Sequence, residues 1–253
     1  MSLGKWIAGG LGWAFGGPIG GLVGFAIGSL FDSAATMTLN DQGRIPGGNQ
    51  SQSSSRYKAT MPGDFAASLL VLTAAVMKAD SKVMKSELDY VKAFFGRQFG
   101  ENSSAEILKT LKELLEKDIP VVEVCQQIKH NLDLSSRLQL IHYLFGVSNA
   151  DGHVHPMEVE IIAKIAHHLG INTADFGSIK AMFYKDSGAA YSILEIEKTA
   201  TDEELKKAYR RMAVKYHPDK INHLGEEFQL AAKEKFQQVQ GAYETIKKER
   251  GLV

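Results

Sequence analysis

The feature that most constrains this fold is an uncharged, glycine-rich stretch near the amino terminus. Trp6 to Phe31 spans 26 residues without a charged side chain. As an α-helix it would be roughly 39 Å long, more than the roughly 30 Å hydrocarbon core of a bilayer. We therefore predict one membrane-spanning helix within residues 1–33. A cleaved signal peptide and a soluble glycine-rich segment are the alternatives for this stretch.

Glycine recurs at every fourth position along this predicted helix. The repeated positions are Gly12, Gly16, Gly20, Gly24 and Gly28. Steps of four residues place them on one slowly winding face, where the lack of side chains lets a second helix approach closely. This run of overlapping G-x-x-x-G motifs predicts a homodimer formed through the transmembrane helix. The flanking charges barely encode the orientation of the helix in the membrane.

The rest of the composition excludes several classes of protein. Residues 34–60 lose all periodicity and are rich in Gly, Ser, Gln and Asn, which predicts a flexible linker. Basic and acidic residues number 29 each, so no global field indicates a nucleic-acid partner. The single cysteine, Cys125, excludes an internal disulfide and a cysteine-based zinc site. Its apolar neighbours predict a buried, inert thiol.

Apolar residues recur at helical spacing from Pro62 to about Asp186, so we predict an all-α domain over residues 61–186. The predicted helices lie near residues 64–79, 86–99, 104–117, 120–132, 136–149, 156–169 and 173–185. Their predicted N-caps are Ser86, Ser103 or Ser104, Ser135, and Asn172 or Thr173. Pro120 and Pro156 suit first helical positions. The apolar faces are expected to form one helical bundle.

Two loops of this domain share one pattern. Ala79-Asp80-Ser81-Lys82-Val83 is followed by Glu87, and Ala150-Asp151-Gly152-His153-Val154 is followed by Glu158. Each loop follows an apolar helix and opens another, which predicts two helix–loop–helix units of one design. On this motif the domain resembles the TerB-like family, an all-α module named for tellurite resistance. In that family, acidic residues at these loops are associated with metal binding.

The resemblance implies a divalent metal site in the two loops. Its ligands would be Asp80, Glu87, Asp151 and Glu158. His153 and His155 lie beside the second loop and would add nitrogen ligands. The alternative is that the carboxylates only accept hydrogen bonds from free N–H groups at the helix starts, which leaves the domain without a cofactor. An EF-hand is excluded, because alternating Asp or Asn ligands and a Glu at position twelve are lacking.

A second helical unit follows the bundle. We predict a short helix over 190–195, then a helix over 202–216 that Thr201 and Glu204 open as a capping box. A long helix over 226–248 carries apolar residues at three- and four-residue spacing, so it can pack antiparallel on the second. Between the two helices lies Tyr216-His217-Pro218-Asp219-Lys220, where Pro218 prevents the helix from continuing.

These segments carry a highly specific pattern. It consists of Tyr191-x-x-Leu194, Leu205-x-x-x-Tyr209-Arg210, His217-Pro218-Asp219, Phe236 and Ala242-Tyr243-Glu244. Residues 189–253 thereby resemble the J-domain of DnaJ-type co-chaperones. The resemblance implies that His217, Pro218 and Asp219 contact a DnaK-type chaperone and trigger its ATP hydrolysis. The other chaperone-binding residues would be basic ones, namely Lys206, Lys207, Arg210, Arg211, Lys215 and Lys220.

Two functions follow for the whole chain. The order of its parts resembles the bacterial membrane-anchored DnaJ-family co-chaperones, which implies a single-pass protein of the cell inner membrane with both helical domains in the cytoplasm. The first function is a non-enzymatic regulator that recruits and activates a DnaK-type chaperone, because no nucleophile or oxyanion site surrounds His217 and Asp219. The second is a membrane-tethered metal- or stress-responsive adaptor acting through the TerB-like domain.

Overall fold

The computed structural model describes residues 17–20, 22, 62–80, 82–184 and 188–252, and for 62–64 and 101–103 it describes the backbone alone. The described residues are helical and contain no β-strand, so the predicted all-α fold class is confirmed. The first seven helices from residue 62 onward form the bundle. They are α1 (Pro62–Met77), α2 (Lys85–Phe99), α3 (Glu101–Leu115), α4 (Val121–Asn131), α5 (Leu134–Ser148), α6 (Pro156–His168) and α7 (Thr173–Ala181).

Helix α5 lies at the centre of the bundle. Of its 15 residues, 11 are buried, and it packs against α1, α2, α6 and α7. A helix that is apolar on all sides is stable only when other elements surround it. Four apolar residues of α5 have at most 1% of their surface exposed, namely Leu138, Ile141, Leu144 and Phe145. Cys125 on α4 is fully buried, as predicted, and burial raises the pKa of its thiol to about 12.

The starts of several helices differ from the predicted ones. Asp133 caps α5 by accepting a hydrogen bond from the backbone N–H of Ser136 at 2.7 Å, and Asn172 caps α7 as predicted. Pro156 is the first residue of α6, also as predicted, whereas Pro120 lies one residue before α4. The predicted N-caps Ser86, Ser103 or Ser104 and Ser135 are wrong, because their helices begin at earlier residues. At α5 the capping acceptor is the Asp133 carboxylate, whereas the N-cap of α3, Gly100, makes no side-chain cap.

The C-terminal unit, residues 188–252, follows the bundle. It contains α8 (Ala189–Ile193), α9 (Asp202–Lys215), a 3-10 helix (Pro218–Leu224) and α10 (Glu226–Glu249). Helices α9 and α10 are antiparallel, because Arg250 after the end of α10 pairs with Asp202 at the start of α9 at 3.0 Å. The stacked rings of Tyr209 and Tyr243, 4.3 Å apart, join their middle sections. The predicted capping box of Thr201 and Glu204 is present.

The C-terminal unit packs directly on the bundle. The ring of Phe228 is fully buried between Phe65 on α1 and Phe94 on α2, at centroid distances of 4.7 and 5.1 Å. Next to it, Glu227 accepts a hydrogen bond from Arg97 Nε at 2.8 Å. The two units therefore share one hydrophobic core, which the sequence did not predict.

The predicted membrane span lies outside the described residues, apart from residues 17–20 and 22. Within these, Ile19 is fully buried and its backbone N–H donates to Gln127 Oε1 on α4 at 3.0 Å. Leu22 also packs against the core. Among the described residues, no helix has both the length and the apolar character needed to cross a membrane.

Candidate functional site

The His-Pro-Asp sequence folds as the start of the 3-10 helix. His217 is its N-cap, with extended backbone angles (φ −62°, ψ 129°), and its Nδ1 accepts a hydrogen bond from the backbone N–H of Asp219 at 3.3 Å. Pro218 occupies the first helical position, where its missing N–H costs nothing. The His217 ring also meets the ring of Phe236 on α10 edge to face, 5.8 Å between centroids. The tripeptide is thus fixed by its own cap hydrogen bond and by a ring contact with α10.

One half of this loop is anchored and the other half is exposed. Ile221 and Leu224 are 3% and 0% exposed and belong to the hydrophobic core. The side chains of His217 and Asp219 are 49% and 85% exposed, and His217 Nδ1 lies 3.6 Å from Asp219 Oδ2. A rigid loop that presents an imidazole and a carboxylate to solvent is suited to protein recognition, because little conformational entropy is lost on binding.

The chain contains a second His-Pro pair with the same local geometry. His155 is the N-cap of α6, its Nδ1 accepts from the backbone N–H of Met157 at 3.3 Å, and Pro156 is the first helical residue. The His-Pro pair by itself is therefore a helix-capping device. What distinguishes His217 is its position between two antiparallel helices and its neighbour Asp219.

The predicted cations divide into two groups. Four of them are exposed and form none of the ion pairs found among the described residues, namely Lys206, Lys207, Arg210 and Lys220. Arg211 is half-exposed and lies 3.3 Å from Glu195. Exposed cations on one helix face create a positive field that attracts an acidic partner.

Lys215 lies differently from the other predicted cations. Its side chain is 22% exposed, forms an ion pair with Asp175 of α7 and lies 2.8 Å from Glu195. Asp175 is 1% exposed, and a buried carboxylate requires a cation or hydrogen bonds to compensate its desolvation. Lys215 therefore faces the bundle rather than the cationic face of α9.

Sequence reasoning missed Val214 on the same helix. Its surface is 63% exposed, and it lies three residues before His217. The buried stripe of α9 is formed by Leu205, Ala208 and Met212, so Val214 lies outside it. Its spacing in the sequence could have identified it. Val214 follows Arg210 by four residues and Arg211 by three, so it lies on the helix face of these cations and not on that of the buried stripe.

The first acidic loop is a hydrogen-bonded turn into α2. Asp80 Oδ1 accepts a hydrogen bond from the backbone N–H of Lys82 at 2.9 Å. Glu87 Oε2 accepts from the backbone N–H of Met84, the N-cap of α2, at 2.7 Å. Both carboxylates therefore satisfy free N–H groups near a helix start, as in the capping alternative for this loop.

The second acidic loop repeats this geometry. Asp151 Oδ1 accepts from the backbone N–H of His153 at 2.9 Å, and Glu158 Oε2 accepts from the backbone N–H of His155 at 3.0 Å. The same two contacts thus occur at equivalent positions of both loops. The predicted repeat of two helix–loop–helix units is confirmed in its hydrogen bonding.

The two loops bring one carboxyl group each into contact. Glu87 and Glu158 are 5% and 6% exposed, and their side chains are hydrogen-bonded to each other. Burial raises the pKa of Glu87 to about 7, and the neighbouring Glu158 adds to the rise. Asp151 is exposed and caps its own loop. The described residues hold no group of three or more His, Cys, Asp or Glu side chains able to bind a metal ion.

Three known families match successive parts of the chain. The family "Co-chaperone DjlA transmembrane domain" matches residues 1–52, "Tellurite resistance protein TerB" matches residues 66–181, and "DnaJ domain" matches residues 189–251. The predicted resemblances to TerB-like and J-domains are confirmed, as is their order after a transmembrane segment.

Several co-chaperone proteins named DjlA align with this chain over most of their length. The co-chaperone protein DjlA of Vibrio vulnificus (strain CMCP6) is 30% identical over 230 residues, covering 75% of this chain and 79% of that protein. DjlA of Vibrio parahaemolyticus is 29% identical over 267 residues, covering 90% of this chain and 91% of that protein. DjlA of Coxiella burnetii is 24% identical and covers 99% of both chains. No solved structure matches the chain.

Proposed function

Because the chain belongs to the DjlA family of membrane-anchored co-chaperones, we propose that it recruits a DnaK-type chaperone to the membrane and stimulates the ATP hydrolysis of that chaperone. The observation that carries this proposal is the exposed pair of His217 and Asp219 on a loop anchored by Ile221 and Leu224. The exposed half binds the partner, and the anchored half keeps its geometry constant.

The cations of α9 bring the partner to this loop. Lys206, Lys207 and Arg210 are exposed at helical spacing, so they present positive charge on the side of α9 away from its buried stripe. Charges of this kind raise the rate of encounter with an acidic surface more than they raise affinity. Val214 adds an exposed apolar side chain between these cations and the loop, where contact with the partner removes it from water.

At the loop, the chain's own residues act by binding and positioning. The carboxylate of Asp219 is 85% exposed, so it is free to accept hydrogen bonds from a cation of the partner and to displace the carboxylate that held that cation before. His217 and Pro218 hold the backbone of Asp219 in place through the N-cap. The ATP and the groups that hydrolyse it belong to the partner, so this chain acts as a regulator.

The proposal is tested by the ATPase rate of a purified DnaK-type chaperone under single-turnover conditions, with the full chain in detergent or nanodiscs. The wild-type chain should accelerate hydrolysis, and His217→Gln should reduce the acceleration about tenfold or more, a loss of about 1.4 kcal/mol of transition-state stabilisation. His155→Gln is the matched control, because it alters the same kind of cap in the bundle. Equal stimulation by wild type and His217→Gln, or none by wild type, contradicts the proposal.

We further propose that both helical domains face the cytoplasm, where a DnaK-type chaperone and ATP are present. A single membrane span near the amino terminus places everything after it on one side. Protease added to intact spheroplasts should leave the C-terminal unit uncleaved, and lysis should expose it. Cleavage of the C-terminal unit in intact spheroplasts would contradict this orientation.

The second candidate is a metal-responsive adaptor, and the meeting of Glu87 and Glu158 is the observation that favours it. Two carboxylates completed by water are a ligand set that Mg²⁺ or Mn²⁺ accepts. Calorimetric titration of Mg²⁺, Mn²⁺ and Zn²⁺ into the full chain tests this role, with Glu87→Gln as the variant. Absence of binding heat up to millimolar metal, or equal heat from Glu87→Gln, would remove the candidate.

A further inference from the structure

We infer that the docking surface is a composite of both units, in which the amino-terminal end of α5, centred on Leu134, extends the surface formed by the His-Pro-Asp loop. The occupant is the same DnaK-type chaperone, so this inference rests on the proposed function. It assigns a binding role to a residue of the TerB-like bundle.

Several kinds of contact hold the J-domain on the bundle. Phe228 is buried between two bundle rings, and Lys215 forms an ion pair with the buried Asp175. Lys235 of α10 is 3% exposed and donates to Gln139 Oε1 of α5 at 2.8 Å. A combined apolar and polar interface of this kind keeps the two units in one relative orientation. A partner that meets the loop therefore meets the adjacent bundle surface as well.

The bundle surface next to the loop is the start of α5. Ser135 and Gln139 line a small crevice together with His217 and Lys220. Asp133, the N-cap of α5, has its Oδ2 3.9 Å from His223 Nε2 on the 3-10 helix. The start of α5 thus meets the loop at His217, Lys220 and His223.

Leu134 is exposed between Asp133 and Ser135. Its surface is 42% exposed, although 11 of the 15 residues of α5 are buried. Val214 of α9, three residues before His217, is 63% exposed. Leu134 thus lies between two residues that meet the loop, and Val214 precedes the loop on α9, so each unit has one exposed apolar residue next to the residues of this contact. Burial of apolar side chains beside a few directed polar groups is how protein interfaces gain most of their affinity.

Continuity with the His-Pro-Asp loop identifies the occupant. A partner that binds His217 and Asp219 lies close to the crevice that His217 shares with Ser135. Leu134 directly precedes Ser135 in the sequence. A chaperone of the DnaK type would cover both units at once. The bundle then contributes to partner binding directly, besides any role in client selection.

The first test is a titration of ATPase stimulation with the full chain carrying Leu134→Ser. The concentration for half-maximal stimulation should rise about fivefold, with the maximum unchanged, because part of a leucine side chain no longer leaves water on binding. The matched control is Val122→Ser, which is 41% exposed near the start of α4, a helix that packs mainly against α6 and α1. A titration curve for Leu134→Ser equal to that of wild type overturns the inference.

A second test does not depend on affinity. Cys125 is fully buried, so Leu134→Cys introduces an accessible thiol that can carry a photo-crosslinker. It should crosslink to the chaperone in the presence of ATP, and Val122→Cys should not. Adding His217→Gln to Leu134→Cys should remove the crosslink. No crosslink at position 134 from a chain that stimulates normally overturns the composite surface and leaves the proposed function standing. No stimulation by wild type overturns both.

Discussion

At the scale of single residues, Lys235 shows how the contact between the two units depends on protonation. The residue is 3% exposed, and its ammonium group donates to Gln139 Oε1 and lies 4.8 Å from the centre of the Tyr216 ring. Burial lowers its pKa from 10.5 to about 7. His142 on α5 is also buried, and its pKa is lowered by burial and by the charge of Lys235. Both groups are therefore stabilised in their neutral forms.

The sign of the resulting pH dependence follows from the lowered pKa. Between about pH 7 and pH 10.5 the unfolded chain binds more protons at Lys235 than the folded chain does. The free energy of unfolding therefore rises with pH through this window and is lower below it. His142 acts in the same direction at lower pH, because its protonation favours the unfolded chain.

Replacing Lys235 by Met should remove this dependence. At pH 6 we expect Lys235→Met to unfold about 2–4 °C above wild type, because about 1 kcal/mol of desolvation cost is removed. The difference should narrow as the pH approaches 10. The control is Lys233→Met, an exposed lysine of the same helix. Melting curves measured from pH 6 to pH 10 check the prediction, and a constant offset across that range would contradict it.

At the scale of elements, periodicity and capping signals predicted most of the fold. The seven bundle helices and the two long helices of the J-domain lie close to their predicted positions, because their apolar residues repeat at three and four. The His-Pro-Asp loop was identified from its specific pattern. The direction of Lys215 was not predictable, because it depends on Asp175, a buried residue of another unit that lies 40 residues away in sequence.

The amino-terminal turn of α10 shows the same limit. Glu227 and Phe228 read as ordinary members of an amphipathic helix, yet they contact Arg97, Phe65 and Phe94 of the bundle. Gly225 before them has a φ of +110°, and the Gln98 side chain lies so close that no other residue fits there without a shift. In the sequence, only Gly225 indicated that the backbone turns sharply just before this contact.

The exposed face of α9 leads to a prediction about association rates. Reversing Lys206 and Lys207 to Glu should slow association with a DnaK-type chaperone about tenfold at low salt, because the steering field is weakened. Salt should reduce the difference, and the dissociation rate should change little. The control reverses Lys109 and Lys112, two exposed lysines of α3. Stopped-flow binding at several salt concentrations checks this; equal slowing by both pairs would refute a specific steering face.

At the scale of the whole molecule, the bundle and the J-domain share one core, so the orientation of the loop is set by their interface. Asp175→Asn removes the charge that holds Lys215 against the bundle. We expect the free energy of unfolding to fall by about 1–2 kcal/mol. This loss is smaller than for an isolated buried ion pair, because Glu195 remains a partner of Lys215. Hydrogen exchange should become faster in α8, α9 and the 3-10 helix.

The control for this variant is Asp89→Asn, an exposed aspartate of α2. It should leave both the melting temperature and the exchange rates unchanged. If Asp175→Asn melts like wild type and exchange stays slow across α9, the ion pair does not hold the two units together.

The glycine repeat at the amino terminus leads to a prediction about assembly. Replacing Gly16, Gly20 and Gly24 by Leu should abolish the dimer signal in a membrane two-hybrid assay, because side chains fill the face along which two helices approach. Ala14→Leu and Ala26→Leu lie on the opposite side of the same predicted helix and serve as controls. A signal that persists in the triple glycine variant would reject dimerisation through this face.

In the proposed function, the His-Pro-Asp loop brings a DnaK-type chaperone to the membrane. Its most direct test is flotation of lipid vesicles carrying the full chain, mixed with the chaperone and ATP. The chaperone should float with wild-type vesicles and with His155→Gln vesicles, and it should stay at the bottom of the gradient with His217→Gln vesicles. Equal flotation with wild-type and His217→Gln vesicles, or none with wild-type vesicles, would contradict it.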